Sequence, residues 1–217
     1  MRRALHCIME TVLEKKTVRV CVFSVILSLV LAGIDQFTKY LAVEHLKPVS
    51  TVSLLKFGDT EWLNLTYCEN TGMSFSLLEG QTVLLIVMPI LLIGLIEWYV
   101  FSGRAKRTDQ IIAAATVAGG GFGNLIDRAF QGYVVDFIDF RIINFAVFNF
   151  ADICAVCGGI YFCILLIADE IREEREKKAA NEAADIADDA ETAEEDSPAD
   201  INEVPDEQPG EQSDENA

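Results

Sequence analysis

The chain has 217 residues, 51% of them hydrophobic, and a formal net charge of −17 that is gathered at one end. Asn181 to Ala217 holds 15 Asp and Glu and no Lys or Arg, which leaves 19 acids against 17 bases in residues 1–180. With only His6 and His45 as histidines and no H-E-x-x-H, a zinc hydrolase has little to build on.

A bilayer core needs about 20 residues of helix, and the first stretch that meets this is approximately 20–40, opening VCVFSVILSLVLAGI. Lys15, Lys16 and Arg19 precede it; the charged lead is long and no A-x-A site follows, which disfavours a cleaved signal peptide. Asp35 and Lys39 stand four apart on one helix face, acid first, the better order for such a pair. About 22 Å of helix rise separates Val20 from Asp35, so the pair belongs near the outer interface. An interfacial anchor with a snorkelling lysine is the plain alternative.

LLKFGDTEWLNLTY, 54–67, predicts two short strands around a Gly58-Asp59 turn, because Leu63, Leu65 and Tyr67 alternate with Trp62, Asn64 and Thr66. ENTGMSF follows, with Asn70 and Gly72 in ordinary turn chemistry. The second span is 82–101, where Pro89 and Gly94 are tolerable in a bundle. The third, 111–127, is rich in small residues that allow close helix approach. At its outer end Asn124, Asp127 and Arg128 share a face, with an Asp–Arg pair holding the helix end as the structural reading. Asp136 and Asp139 fall in the connection 128–149, and the fourth span, 150–168, starts beside Asn149 and Asp152, either of which suits an N-cap. Cys154 and Cys157 lie in this apolar helix without partners for a metal.

Lys and Arg cluster before span one, between spans two and three (Arg104, Lys106, Arg107) and after span four (Arg172, Arg175, Lys177, Lys178). All three clusters lie on one side of a four-span topology, so both termini are expected in the cytoplasm, with 41–81 and 128–149 outside. The expected architecture is an all-α membrane protein of four transmembrane helices, with a small extracytoplasmic β-hairpin or sheet between helices 1 and 2. Its parts are a cytoplasmic segment 1–17, a membrane domain 18–170, and a cytoplasmic charged segment 171–217 whose acidic tail, from 181, cannot bury enough apolar surface to order itself.

Ionisable residues at membrane depth are functional suspects. Asp136 and Asp152 approach the same depth from different elements, and two close carboxylates cannot both ionise cheaply. That is the protonation state an aspartic peptidase needs: the charged member takes a proton from water, and the neutral one hydrogen-bonds the scissile carbonyl and later protonates the leaving amine. A carboxylate-lined transporter would set its site nearer the midplane. A non-catalytic assembly partner is the other alternative.

Asp35-Gln-Phe-Thr-Lys39, Glu69-Asn70-Thr-Gly72, Gly119-Gly120-Gly121-Phe-Gly123-Asn124-Leu-Ile-Asp127-Arg128, Gly132-Tyr-Val-Val-Asp136-Phe137 and Phe148-Asn149-Phe-Ala151-Asp152 together resemble lipoprotein signal peptidase, or signal peptidase II, over residues 18–170. The resemblance implies an aspartic endopeptidase of the bacterial cytoplasmic membrane that needs no metal or cofactor. Its substrates would be diacylglyceryl-modified prolipoproteins, cut on the N-terminal side of the lipidated cysteine, with membrane lipid as the other partner, no nucleic acid, and a monomeric chain. Asp136 and Asp152 would form the catalytic dyad. Asn70, Gly72, Asn124, Arg128 and Asn149 would position substrate and order the site, Asp127 would orient Arg128, and Asp35 and Lys39 would support the site from span one. Met73, Ser74 and Gly121 depart from the family's usual residues. Asp139 is expected to be solvated or locally paired.

Overall fold

A computed structural model of the chain describes residues 2–72, 80–143 and 145–195, with side chains from 17 to 183 within those ranges. Met73, Ser74 and the acidic tail beyond Glu195 lie outside the described residues. The elements are helices α1 (Arg2–His45), α2 (Thr82–Phe101), α3 (Thr108–Phe130) and α4 (Phe150–Glu195), and strands β1 (Thr51–Phe57), β2 (Thr60–Asn70) and β3 (Val134–Phe140). Contacts separate a unit ending at Asp169 from one that starts at Glu170. The described part of the second unit is helical to Glu195, including the first residues of the stretch that composition marks as unstructured. Ala and Glu dominate there, and both favour helix without needing a buried face.

Among the described residues, three helices are long and apolar enough to cross a membrane: Thr17–His45, Thr82–Phe101 and Phe150–Ala183. The fourth helix of the bundle, α3, is poorer in large apolar side chains, and it is also enclosed: eleven of its residues are buried, so protein takes the place of lipid along much of its length. Its small residues explain how. Successive positions on a helix point about 100° apart, and three successive glycines face three different helices. A Cβ on Gly119 would lie 2.8 Å from Leu31 Cβ of α1, one on Gly120 would lie 2.8 Å from Ala155 N of α4, and one on Gly121 would lie 2.9 Å from Ile93 Cδ1 of α2. The glycines therefore serve close packing first, and open space second. Between α1 and α2, Ser24 and Ser28 direct hydroxyls to Glu97 at 3.3–3.4 Å, and Ser28 Oγ also lies 3.0 Å from Ala115 O.

The hairpin forms as its alternation predicts. β1 pairs antiparallel with β2, and Gly58 takes φ 61° in the two-residue connection, a left-handed value that glycine adopts without strain. The structure adds a strand: β3 pairs antiparallel with β2, giving the order β1-β2-β3. Gly132 (φ 79°) ends α3 and turns the chain into β3. Ala42, Leu46 and Val135 form a small buried cluster, with Leu65, Tyr67, Tyr133 and Phe137 against it, and join the sheet to the end of α1.

Candidate active site

β3 is the organising element. On one side Asp136 sits opposite Cys68 of β2. On the other, Phe148 O accepts from Phe137 N (3.0 Å) and Ile138 N (2.8 Å), while Phe148 N donates to Ile138 O (3.0 Å). This short bridge delivers Asn149 beside Asp136 at the point where α4 begins. Asn149 Nδ2 donates to Asp136 Oδ1 at 2.7 Å, and Asn70 Nδ2, at the end of β2, donates to Oδ2 at 2.9 Å. Asp136 is 2% exposed. Burial pushes its carboxyl up to about 6, with the negative charge of Asp152 adding to the rise and the two amides and Lys39 opposing it.

Asp152 stands in the first turn of α4. Asn149 Oδ1 accepts from Asp152 N (3.0 Å), and Asp152 Oδ2 accepts from Asn149 N (3.1 Å). The two residues thus cap the helix reciprocally. Asp152 Oδ1 accepts from Asn124 Nδ2 of α3 at 2.7 Å, the second bond to this carboxylate. One residue, Asn149, therefore touches both carboxylates, and each carboxylate comes from a different element.

A buried charge network lies beneath. Lys39 Nζ reaches Asp35 Oδ2 (2.7 Å), Asp127 Oδ2 (2.9 Å) and Asn124 Oδ1 (2.8 Å), which occupies all three ammonium protons. Its side chain is 4% exposed, so it is a buried ligand of these groups and not a snorkelling anchor. Asp35 Oδ1 accepts from Ala151 N at 2.9 Å, tying span one to the start of α4. Asp127 does not pair with Arg128, as the sequence suggested. It accepts from Lys39, from Gln36 Nε2 (2.8 Å) and from Val135 N (3.3 Å). Asp127 and Arg128 both neighbour Asn124, three and four residues back, but as adjacent residues they stand about 100° apart around the helix, and Arg128 instead sends Nη2 to Gly72 O at 2.9 Å. Gly72 N in turn donates to Asn70 Oδ1 at 2.9 Å, so Arg128 and Asn70 hold the same turn from two sides. Asp139 is buried and locally paired, with Arg141 Nε at 2.7 Å and Thr66 Oγ1 at 2.8 Å; it is not solvated.

Asn124, Arg128 and Asp152 border a cavity of about 410 Å³ whose remaining wall is apolar, including Leu84, Leu85, Met88 and Leu92 of α2 and Gly120 and Gly121 of α3. Among the described residues no group of three or more His, Cys, Asp or Glu is arranged to hold a metal ion.

The family model for signal peptidase (SPase) II matches residues 27–168, the part of the chain that holds this whole constellation. The chain belongs to the signal peptidase II family. Among its relatives is a lipoprotein signal peptidase of Caldanaerobacter subterraneus, 40% identical over 134 residues that make up 62% of this chain and 88% of the relative. Another, from Enterococcus faecalis, is 33% identical over 75% of this chain and 99% of its own length. A solved structure described as "Bacterial membrane enzyme structure by the in meso method at 1.9 A resolution" superposes with a TM-score of 0.59 at 27% identity, covering 68% of this chain and 94% of that one. The chain is thus a multi-pass membrane protein of a peptidase family, with the family's bundle and small sheet.

Two participants escaped the sequence reading. Gln36, inside the D-Q-F-T-K stretch, bridges Asp127 and the Gly123 carbonyl (3.1 Å) and helps lock α1 to α3. Gly123 leaves the space that Asp35 fills: a Cβ there would collide with Asp35 Oδ2 and lie 2.9 Å from its Cγ. The signal for Gln36 was present, since Gln36 and Lys39 are three apart and share a face.

Proposed function

We propose that this member of the family is an aspartic endopeptidase that removes the signal peptide from diacylglyceryl-modified prolipoproteins, cutting on the N-terminal side of the lipidated cysteine. Asp136 and Asp152 form the dyad. The observation that carries the reading is the shared residue Asn149, whose side-chain amide holds Asp136 and whose backbone N–H holds Asp152, one carboxyl from a strand and one from a helix, with the Lys39–Asp35–Asp127 ion cluster behind them.

One carboxyl, ionised, takes a proton from water so that the oxygen attacks the scissile carbonyl. The other, neutral, hydrogen-bonds the carbonyl oxygen, and a proton passes to the leaving amine as the C–N bond breaks. Neither role needs a metal or cofactor. The apolar cavity beside Asp152 suits acyl chains or the signal helix, while Arg128, whose Nε has no hydrogen-bond partner among the described residues, borders it with a donor to spare for substrate. Asn70 and Gly72 shape the turn beside Asp136, Asn124 and Asn149 orient the carboxyls, and Asp35, Lys39 and Asp127 support them from below. The basic clusters at 15–19, 104–107 and 172–178 favour cytoplasmic termini and a site at the extracytoplasmic end of the bundle, within a single chain.

The test is to incubate purified protein with lipidated and unlipidated precursor. Release of the signal peptide from the lipidated form only is expected, and Asp136→Asn is expected to abolish it while leaving expression and precursor binding intact. Normal processing by that variant rejects the dyad, and equal cleavage of both precursors removes lipid recognition.

A further inference from the structure

The dyad is held asymmetrically. Hydrogen-bond number does not separate its members, since Asp136 and Asp152 each accept two bonds from asparagine groups. The difference lies in the charge behind those donors. Asn124 gives its amide N–H to Asp152 while its own carbonyl accepts from the Lys39 ammonium at 2.8 Å. A cation on the carbonyl side of an amide withdraws electron density from it and makes the N–H a stronger donor, so hydrogen bonds in such a chain reinforce one another. Asn70, the corresponding donor to Asp136, turns its carbonyl to the neutral Gly72 N–H.

Two further features favour charge on Asp152. It lies in the first turn of α4, where the partial positive charge of the helix start stabilises an anion. The Arg128 guanidinium also borders the same cavity as Asp152, which Asp136 does not line. Asp136 sits in mid-strand with no helix end behind it. The ionisable groups around it are Cys68 across the strand pair, Asp139 three residues on in the same strand and already paired with Arg141, Asp152, and the cations Lys39 and Arg128.

We propose that Asn124, polarised by Lys39, keeps Asp152 as the ionised member of the dyad, so that Asp152 is the base that takes the proton from water and Asp136 carries the dyad's proton to the scissile carbonyl. Asn124 is a positioning residue acting through Asp152. The step balances: water loses one proton to Asp152 as its oxygen bonds to the carbonyl carbon, the dyad briefly holds two protons, and one passes to the leaving nitrogen as the C–N bond breaks. The burial of Asp136, which favours its neutral form, agrees with this division.

This inference rests on the peptidase reading and is tested with pH–rate profiles of kcat/KM for the purified full chain on lipidated precursor. Removing a donor makes the carboxylate it served harder to keep ionised. Asn124→Ala, which strips a bond from Asp152, moves the acidic limb upward by about one pH unit and narrows the active range. Asn70→Ala, which strips a bond from Asp136, moves the basic limb upward and widens it. Either variant decides alone if the other fails to fold. The reverse pattern, with Asn124→Ala acting on the basic limb or Asn70→Ala on the acidic one, overturns the assignment, as do profiles that fall in height without moving. If the unaltered chain does not cleave the lipidated precursor, the peptidase reading itself has failed, which is a different result from a limb that stays in place.

Discussion

Gly120→Ala tests how tightly the site depends on helix packing. The added Cβ would lie 2.8 Å from Ala155 N and 3.0 Å from Cys154 Cβ, and closer still to the carbonyl oxygen of Ala151, whereas ordinary contact begins at 3.4 Å. The nearest obstacles are backbone atoms and cannot swing aside, so α4 has to withdraw from α3 by about 1 Å, at an overpacking cost of about 1–3 kcal/mol. The withdrawal occurs one residue from Asp152, whose bond to Asn124 is 2.7 Å and would lengthen past the hydrogen-bonding range. A shift of about 1 Å in a catalytic group costs on the order of 100-fold in rate. Gly159→Ala is the control, since a Cβ there meets nothing within 4 Å, and alanine favours helix over glycine by about 1 kcal/mol. Thermal unfolding in detergent and initial rates on lipidated precursor are the assays. A Gly120→Ala protein with wild-type rate and melting temperature would refute the claim that this contact sets the alignment.

Lys39→Met leaves Asp35 and Asp127 facing each other, buried and without their cation; breaking such a cluster by removing one partner costs about 3–5 kcal/mol. Denaturant unfolding of the variant measures this, and a loss under about 1 kcal/mol would mean that the two acids find other compensation. Asp136 also makes stability depend on pH. Its value rises from 3.8 to about 6 on folding, so the native state holds this proton more tightly than the unfolded chain. The contribution is constant below about 3.8, falls by about 3 kcal/mol as pH climbs to about 6, and stays at the lower level above that. Melting curves of wild type and Asp136→Asn across this interval should diverge; parallel curves would contradict the burial argument.

The sequence made the hairpin legible because Leu63, Leu65 and Tyr67 repeat with the period of a strand, and Gly58 marks the turn. It hid β3. VVDFIDF is nearly continuous in apolar residues and reads as a return to the membrane, and only its pairing with β2, a contact over 60 residues distant in sequence, makes it a strand. The two acids of the proposed dyad were visible as misplaced carboxylates. Their supports were named only through the family resemblance, and the pairings among them were not legible, because which amide meets which acid depends on how α1, α3 and β3 pack. The pairing of Asp127 with Lys39 shows the limit: neighbours in sequence suggested Arg128, whereas the helix turned Asp127 toward α1.

Asn149 and Asp152 start the last span as well as holding the site. An inactivating replacement at 152 is therefore also an edit to the opening of α4: asparagine preserves the backbone contact in shape, while alanine leaves an amide at the lipid boundary without its acceptor. Loss of turnover in the alanine protein would confound proton chemistry with fraying, and only the isosteric exchange isolates the former.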